Sequence, residues 1–260
     1  MKTHLLKSYL SHWLNKVDEH SIHSPFFYDF YVNVIRKSRE ASGIKEIEQI
    51  RTALLENDTI LDLQDLGAGS ANGSGGSQRT LADITKDSAS SARLSSLYTH
   101  IIDYCAAKYI VELGTSIGLN ALYLASKKDG QVFTFEGSKA LANVALTHFE
   151  FFESKNIHLI EGNIDKTLPE FLQKTEKLNF VLMDANHRYE PTMRYFELLT
   201  RRLNEKSIVV VDDIHWSTDM ERAWNELYRH KLVYGSIDLY RCGILLFDPA
   251  LNRQHFILSL

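Results

Sequence analysis

Carboxylates close one apolar run after another in this chain. Glu112 lies in Tyr109-Ile110-Val111-Glu112-Leu113, Glu136 ends the run that starts at Gln131, Asp184 ends Asn179-Phe180-Val181-Leu182-Met183, and Asp212 and Asp213 end the run that starts at Ser207. Short β-rich runs of this kind are what strands buried on both faces of a parallel sheet require. The carboxyl ends of such strands share one edge, where ligands bind, so the five acids are expected to converge on one crevice. Between the first two runs lies Gly114-Thr115-Ser116-Ile117-Gly118-Leu119-Asn120. Its glycines let a ligand approach the backbone, and the helix that follows offers free N–H groups to an anionic group. Glu136, with Gly137 beside it, is placed to accept hydrogen bonds from ribose hydroxyls, as an acid roughly 20 residues on does in dinucleotide folds. A tight βα turn without a ligand is the alternative reading of this segment taken alone.

Two kinds of chemistry are open to the later acids. Asp184, Asp212 and Asp213 are hard oxygen donors, suited to Mg²⁺ or another divalent cation together with waters and substrate oxygens. Such an ion would lower the pKa of a bound hydroxyl. The alternative is structural, with Asp184 on a backbone N–H and Asp213 capping the next helix. His187 follows Asp184 by three residues and can take a proton near neutral pH, which makes His187 and Asp184 the candidate catalytic pair. His215 is the second candidate base, read more readily as a hydrogen-bonded loop histidine.

The elements that must position these residues alternate regularly. The pattern predicts a helix from 88 to 107, then strand 109–113, helix 118–128, strand 131–136, helix 138–154, strand 157–161, helix 167–175, strand 179–184, helix 191–204, strand 207–212 and helix 217–230. That alternation means a doubly wound α/β fold with a mostly parallel sheet. Strands over 232–239 and 243–247 are too close in sequence for a parallel return, so they pair antiparallel at the C-terminal edge of the sheet. Residues 1–87 read as an N-terminal helical extension and 88–260 as the ligand-binding domain. A helix begins near Pro25, because Phe27, Tyr31, Val34 and Ile35 recur at helical spacing behind Ser24-Pro25. Ile44, Ile47, Ile50, Leu54 and Leu55 outline another. The aromatic residues from Phe26 to Tyr31 read as packing more readily than as a cap over a substrate.

The Gly/Ser-rich segment 67–77 reads as a mobile lid or linker. Asp65-Leu66-Gly67-Ala68-Gly69 is a rival glycine motif, but its nearest following strand with a Glu is the one containing Glu112, about twice as far off as Glu136 is from Glu112. The 65–77 stretch contains no G-x-S-x-G elbow and no phosphate-binding G-x-x-x-x-G-K-[ST] loop. The G-x-x-x-G spacing at Gly114 and Gly118 departs from the dinucleotide fingerprint, which weakens a nicotinamide reading.

Together these motifs resemble class I S-adenosylmethionine-dependent methyltransferases, and within them the catechol-type and sugar O-methyltransferases. Glu112-Leu113-Gly114-Thr115 with Gly118, Met183-Asp184-Ala185-Asn186-His187-Arg188-Tyr189-Glu190 and Val211-Asp212-Asp213-Ile214-His215-Trp216 carry the likeness, over roughly residues 88 to 248. More loosely, the whole chain, with Ile22-His23-Ser24-Pro25-Phe26 and the 65–70 stretch, is similar to an uncharacterised Bacteroidetes methyltransferase group. The resemblance implies S-adenosylmethionine as cofactor and a small hydroxylated molecule as acceptor. The turn from Glu112 to Asn120 would meet the methionine end, Glu136 the ribose, and the loop of Asn163 and Asp165 the adenine; Asp184 would also lie against the cofactor. Asn120 departs from the Ser common at that position. The family's catechol-type members carry a lysine where His187 stands, and the Asp212-Asp213 pair is the form seen in sugar O-methyltransferases, which favours a sugar-like or polyol-like acceptor. Tyr189, Trp216 and the N-terminal helices would wall the acceptor side. An NAD-type oxidoreductase and a non-catalytic cofactor- or partner-binding module on the same fold are the alternatives.

Composition sets the limits. With 260 residues, 44% hydrophobic, the chain can bury one α/β core plus an accessory segment. A net charge of −4 argues against a nucleic-acid partner, which calls for a concentrated basic surface. Two cysteines make neither a disulfide framework nor a cysteine zinc site. No apolar stretch approaches the ~18–20 residues of a membrane span, so a cytoplasmic protein is expected, with a homodimer left open.

Overall fold

Continuous apolar runs become strands that are covered on both sides. In the computed structural model, which describes residues 2–63, 78–127 and 129–260, every residue of the runs Phe180–Met183 and Ile208–Asp212 is buried. A small antiparallel pair comes first in the chain, β1 (Ile60–Asp62) with β2 (Gln78–Thr80). The main sheet holds β3 (Tyr109–Leu113), β4 (Gln131–Glu136), β5 (Ile157–Glu161), β6 (Phe180–Met183), β7 (Ile208–Asp212), β8 (Gly235–Asp238), β9 (Cys242–Leu246) and β10 (Gln254–Ile257). Their spatial order is β10-β8-β9-β7-β6-β3-β4-β5. From β3 the chain runs outward through β4 to β5, then returns to place β6 and β7 on the other side of β3. The strand order therefore reverses between β3 and β6, which is where an open α/β sheet forms its ligand crevice.

The expected alternation is present, with strands 109–113, 131–136 and 157–161 at the anticipated bounds and helix ends shifted by a few residues. The doubly wound, mostly parallel architecture stands. The reversed strand is β9, antiparallel to both β7 and β8 on the C-terminal side of the sheet. Outside β8 lies β10, parallel to it and absent from the sequence reading. Its four residues, Gln-His-Phe-Ile, are too few and too polar to announce a strand.

The helices cover both faces. They are α1 (Lys2–Asn15), α2 (Pro25–Phe30), α3 (Lys37–Arg39), α4 (Lys45–Leu55), α5 (Leu81–Ser88), α6 (Ala92–Tyr104), α7 (Leu119–Leu124), α8 (Lys139–Phe151), α9 (Ile164–Gln173), α10 (Tyr189–Thr200) and α11 (Thr218–Leu227). Tyr31–Arg36 joins α2 to α3 as a π-helical stretch, so the helix that starts at Pro25 runs on to Arg39. No helix among the described residues is long and apolar enough to cross a membrane. The Gly/Ser-rich segment 67–77 and the rival motif 65–69 lie outside the described residues.

The N-terminal helices share the core of the sheet. Phe27, Phe30, Tyr31, Val34 and Ile35 are buried in one cluster with Leu97 and Ile101 of α6 and with Ile110, Phe180 and Ile244 of the strands. On α4, Ile47 and Leu54 pack with Leu119 and Tyr123 of α7, and the Tyr123 hydroxyl donates to Glu48 Oε1 at 2.7 Å while accepting the Ile44 N–H at 3.0 Å. The aromatic group at 26–31 is packing in the main. Phe30, with no exposed surface, sits against Phe26 and Tyr104. Phe30→Ala is expected to cost about 3–5 kcal/mol. Urea unfolding followed by circular dichroism and by fluorescence should show one shared transition moved to lower urea, whereas two separated transitions would mean that residues 1–87 unfold as their own unit.

Candidate active site

Close backbone approach explains the glycine turn. Gly114 has φ +102°, and a Cβ there would stand 2.2 Å from the carbonyl oxygen of Asp184, so only glycine lets β3 and β6 meet at this point. Gly118, at φ +84°, begins α7. Between them Ser116 adopts φ +48° and donates its N–H to Glu136 Oε2 at 2.8 Å. The other carboxylate oxygen of Glu136 accepts the Ser138 N–H at 2.8 Å. Burial raises the Glu136 pKa, against the N–H groups of Ser138, Ser116 and Gly137, which favour the charged form.

Glu112 is deeper. It has no exposed surface; Oε2 accepts the Thr134 hydroxyl, which shares a 2.6 Å hydrogen bond with Thr115, and Oε1 has no partner among the described residues. Burial pushes its pKa up to about 8. An orphaned, buried carboxyl oxygen beside this turn fits a ligand that brings a hydrogen-bond partner.

Other expected contact residues have partners within the protein. The Asn120 side chain accepts from the Ser95 hydroxyl at 2.7 Å and donates to Ser90 at 3.0 Å, tying α7 to α6. Exposed Asn163 caps α9 by accepting the Asp165 N–H at 2.9 Å, and Asp165 pairs with Arg194 at 2.7 Å. Tyr189 donates to Glu226 at 2.6 Å and lies under the Arg222 guanidinium, so it faces α11. His215 Nε2 stands 2.9 Å from Asp238, as a loop histidine with its own partner.

Beyond Gly114 the acids gather with one guanidinium. His187 Nε2 lies 3.5 Å from Asp184 Oδ1, and Asn186 and His187 both take positive φ, +65° and +28°, to bring the ring back over the strand end. Burial lowers the His187 pKa from its usual 6.5, and the Arg241 charge adds to this against Asp213. Burial, then the charges of Asp212 and Asp213, raises the Asp184 pKa. Asp212 Oδ1 accepts the Asp213 N–H at 2.9 Å, and burial followed by the Asp213 charge raises its pKa too. Asp213 Oδ1 stands 3.0 Å from Arg241 Nη2.

The divalent ion expected on Asp184, Asp212 and Asp213 is not shown by this arrangement. Asp213 already faces a guanidinium, and Asp212 is turned to a backbone N–H. Among the described residues no group of three or more His, Cys, Asp or Glu side chains is arranged to hold a metal ion. The positive charge of the crevice is supplied by Arg241.

A mostly parallel sheet with one reversed strand, a glycine turn after β3 and an acid after β4 form the arrangement that the resemblance to class I S-adenosylmethionine-dependent methyltransferases implies. Residues 111–214 match the family model described as a methyltransferase domain. No curated protein matches the chain in sequence. Among solved structures it is similar to cofactor-bound Rv0187 from MTB, with TM-score 0.59 and 17% identity over 79% of this chain and 91% of that one. An O-methyltransferase from Bacillus cereus in complex with SAH gives 0.55 and 16% over 78% and 89%. The O-methyltransferase TomG from Streptomyces achromogenes, in complex with SAM, gives 0.53 and 20% over 62% and 82%. At these identities the likeness is one of fold.

Sequence reasoning passed over Thr134 and Arg241. Thr134 sits directly opposite Glu112 in the β3–β4 register and interrupts Val132-Phe133-Thr134-Phe135, which was the available signal. Arg241 occupies the turn between β8 and β9, whose position in space no local pattern reveals. The Glu112 shift has a consequence for stability. Its folded-state pKa lies above the ordinary 4.5, so folding takes up a proton; the stabilisation is whole below about pH 4.5 and lost as pH rises towards about 8. Glu112→Gln should therefore raise the ligand-free Tm more at about pH 8.5 than at about pH 5. Equal shifts at both would mean that Glu112 is charged in the folded chain.

Proposed function

We propose that the chain transfers the methyl group of S-adenosylmethionine to an oxygen of a small hydroxylated molecule. The observation that carries this reading is the pairing of the Gly114–Gly118 turn with Glu136, whose carboxylate is fixed by the N–H groups of Ser116 and Ser138 at the switch point of the sheet. Glu136 would accept hydrogen bonds from the ribose hydroxyls. Glu112 and the turn that follows it would meet the methionine end, where Oε1 has no partner among the described residues. When bound, S-adenosylmethionine supplies a methyl on a positively charged sulfur, open to attack in line by an oxygen nucleophile.

The chain's own task is to orient the hydroxyl and remove its proton. His187 suits that task, because its lowered pKa leaves the ring neutral and basic at pH 7. Asp184, beside it at 3.5 Å, orients the ring, and the Asp213 charge favours the imidazolium once it forms. Arg241 balances the acids around the pair. No step of this scheme passes through a metal ion.

Calorimetric titration with S-adenosylhomocysteine tests the cofactor assignment. The parent protein is expected to bind, and Glu136→Ala to bind at least roughly tenfold more weakly, the worth of hydrogen bonds to a charged group. No binding by the parent protein overturns the reading. Once an acceptor is in hand, kcat/KM should rise with pH through a value below 6.5, where His187 loses its proton, and flatten above it. His187→Gln should lower kcat by roughly 10²–10⁴-fold and remove that limb; an unchanged limb would assign the base elsewhere.

A further inference from the structure

Where Arg241 leaves the acidic crevice it enters a second space. A cavity of ≈ 580 Å³ lies between α1, the segment joining α5 to α6, and the β8–β9 turn. That is the size of a small-molecule site. Arg241 and Tyr240 form part of its wall, and Arg241 Nη2 is the atom 3.0 Å from Asp213. The cavity thus adjoins the site through a side chain common to both.

Its lining has a definite chemistry. Tyr9, Trp13 and Tyr240 present aromatic surface; Tyr9 and Trp13 are 50% and 54% exposed, large apolar side chains left facing open space. Lys16, Lys86, Arg93 and Arg241 supply four positive charges against one lining acid, Asp87, and Asp87 is already held by Arg79 at 2.6 Å. Arg241 is matched by Asp213. Lys16, Lys86 and Arg93 have no ion-pair partner among the described residues. In a chain of net charge −4, such a concentration of unmatched cations around one concavity marks a place for an anion.

We infer that this cavity is the acceptor site and that the acceptor carries an anionic group, a carboxylate or a phosphate, held by Lys86, Arg93 and Lys16. Its apolar or ring-shaped body lies against Tyr9 and Trp13, and its hydroxyl reaches the His187 side past Arg241. The inference rests on the methyltransferase reading for the identity of the bound molecule as an acceptor. The recognition of an anion stands on the cavity itself.

The test is calorimetry on the full chain saturated with S-adenosylhomocysteine, using two matched pairs of probes. One pair is 3,4-dihydroxybenzoate and its methyl ester; the other is glucose 6-phosphate and glucose. In at least one pair the anion is expected to bind roughly tenfold or more tightly than its neutral partner. The pair that shows the preference identifies the group as carboxylate or phosphate. Lys86→Ala with Arg93→Ala should abolish the preference, and Lys86→Arg with Arg93→Lys should restore most of it. No preference in either pair, including no binding at all, overturns the inference, as does a preference that survives the double alanine variant. Titration of S-adenosylhomocysteine alone is run beside these. If it fails to bind while the anion preference persists without it, the cofactor reading falls and the anion site remains.

Discussion

Carboxylates taken out of water must be met by donors, by a cation or by a proton, and five of them crowd the carboxyl edge of this sheet. Each is met differently. Glu136 takes two backbone N–H groups, Glu112 takes the Thr134 hydroxyl and holds its proton up to about pH 8, Asp212 takes a backbone N–H, Asp184 has His187, and Asp213 has Arg241. The backbone bends to make these pairings. Ser116, Asn186, His187 and Asp213 all take positive φ within this one region, a conformation that costs non-glycine residues about 1 kcal/mol or more apiece. The buried strands beneath, packed on both faces, are what hold the edge in that arrangement.

The turn carrying Arg241 is itself anchored from below. Asp238, at the end of β8, lies 2.9 Å from His215 Nε2 and accepts the Trp224 N–H at 3.1 Å and the Tyr240 N–H at 2.8 Å. His12 of α1 approaches the same carboxylate at 3.4 Å, and its ring packs against Tyr240. One buried aspartate thus links the first helix of the chain to α11, to the loop after β7 and to the β8–β9 turn. Through that link α1 becomes a wall of the cavity beside the site instead of an appendage to the fold.

Much of this was legible in advance, for a physical reason. A strand buried on both faces must be apolar along its length, so β3, β4, β6 and β7 announce themselves, and an acid at the end of such a run stands out. The glycines at 114 and 118 are equally visible, because a turn that brings β3 against the Asp184 carbonyl admits no side chain. What stayed hidden depends on partners distant in sequence. The roles of Arg241 and Thr134 follow from strand register. Acids can be counted in a sequence, while the guanidinium that faces Asp213 arrives from a later turn. Nor does a motif reveal the helix–helix and capping bonds that the Asn120 and Asn163 amides make. Strand β10 has neither the length nor the alternation to be seen before it is paired.

The reversed strand β9 gives the molecule a division of labour. In the proposed reading the cofactor contacts belong to the β3–β4 half, built from strands that are buried along most of their length. The adjoining cavity borrows Tyr240 and Arg241 from the hairpin between β8 and β9, and Tyr9 and Trp13 from a helix with one open face. A change in that hairpin or that helix face can be absorbed without disturbing Glu112, Gly114 or Glu136. Descendants of this chain could therefore trade a charge or a ring at the rim of the cavity while inheriting the turn at Gly114 and the acid at Glu136 intact.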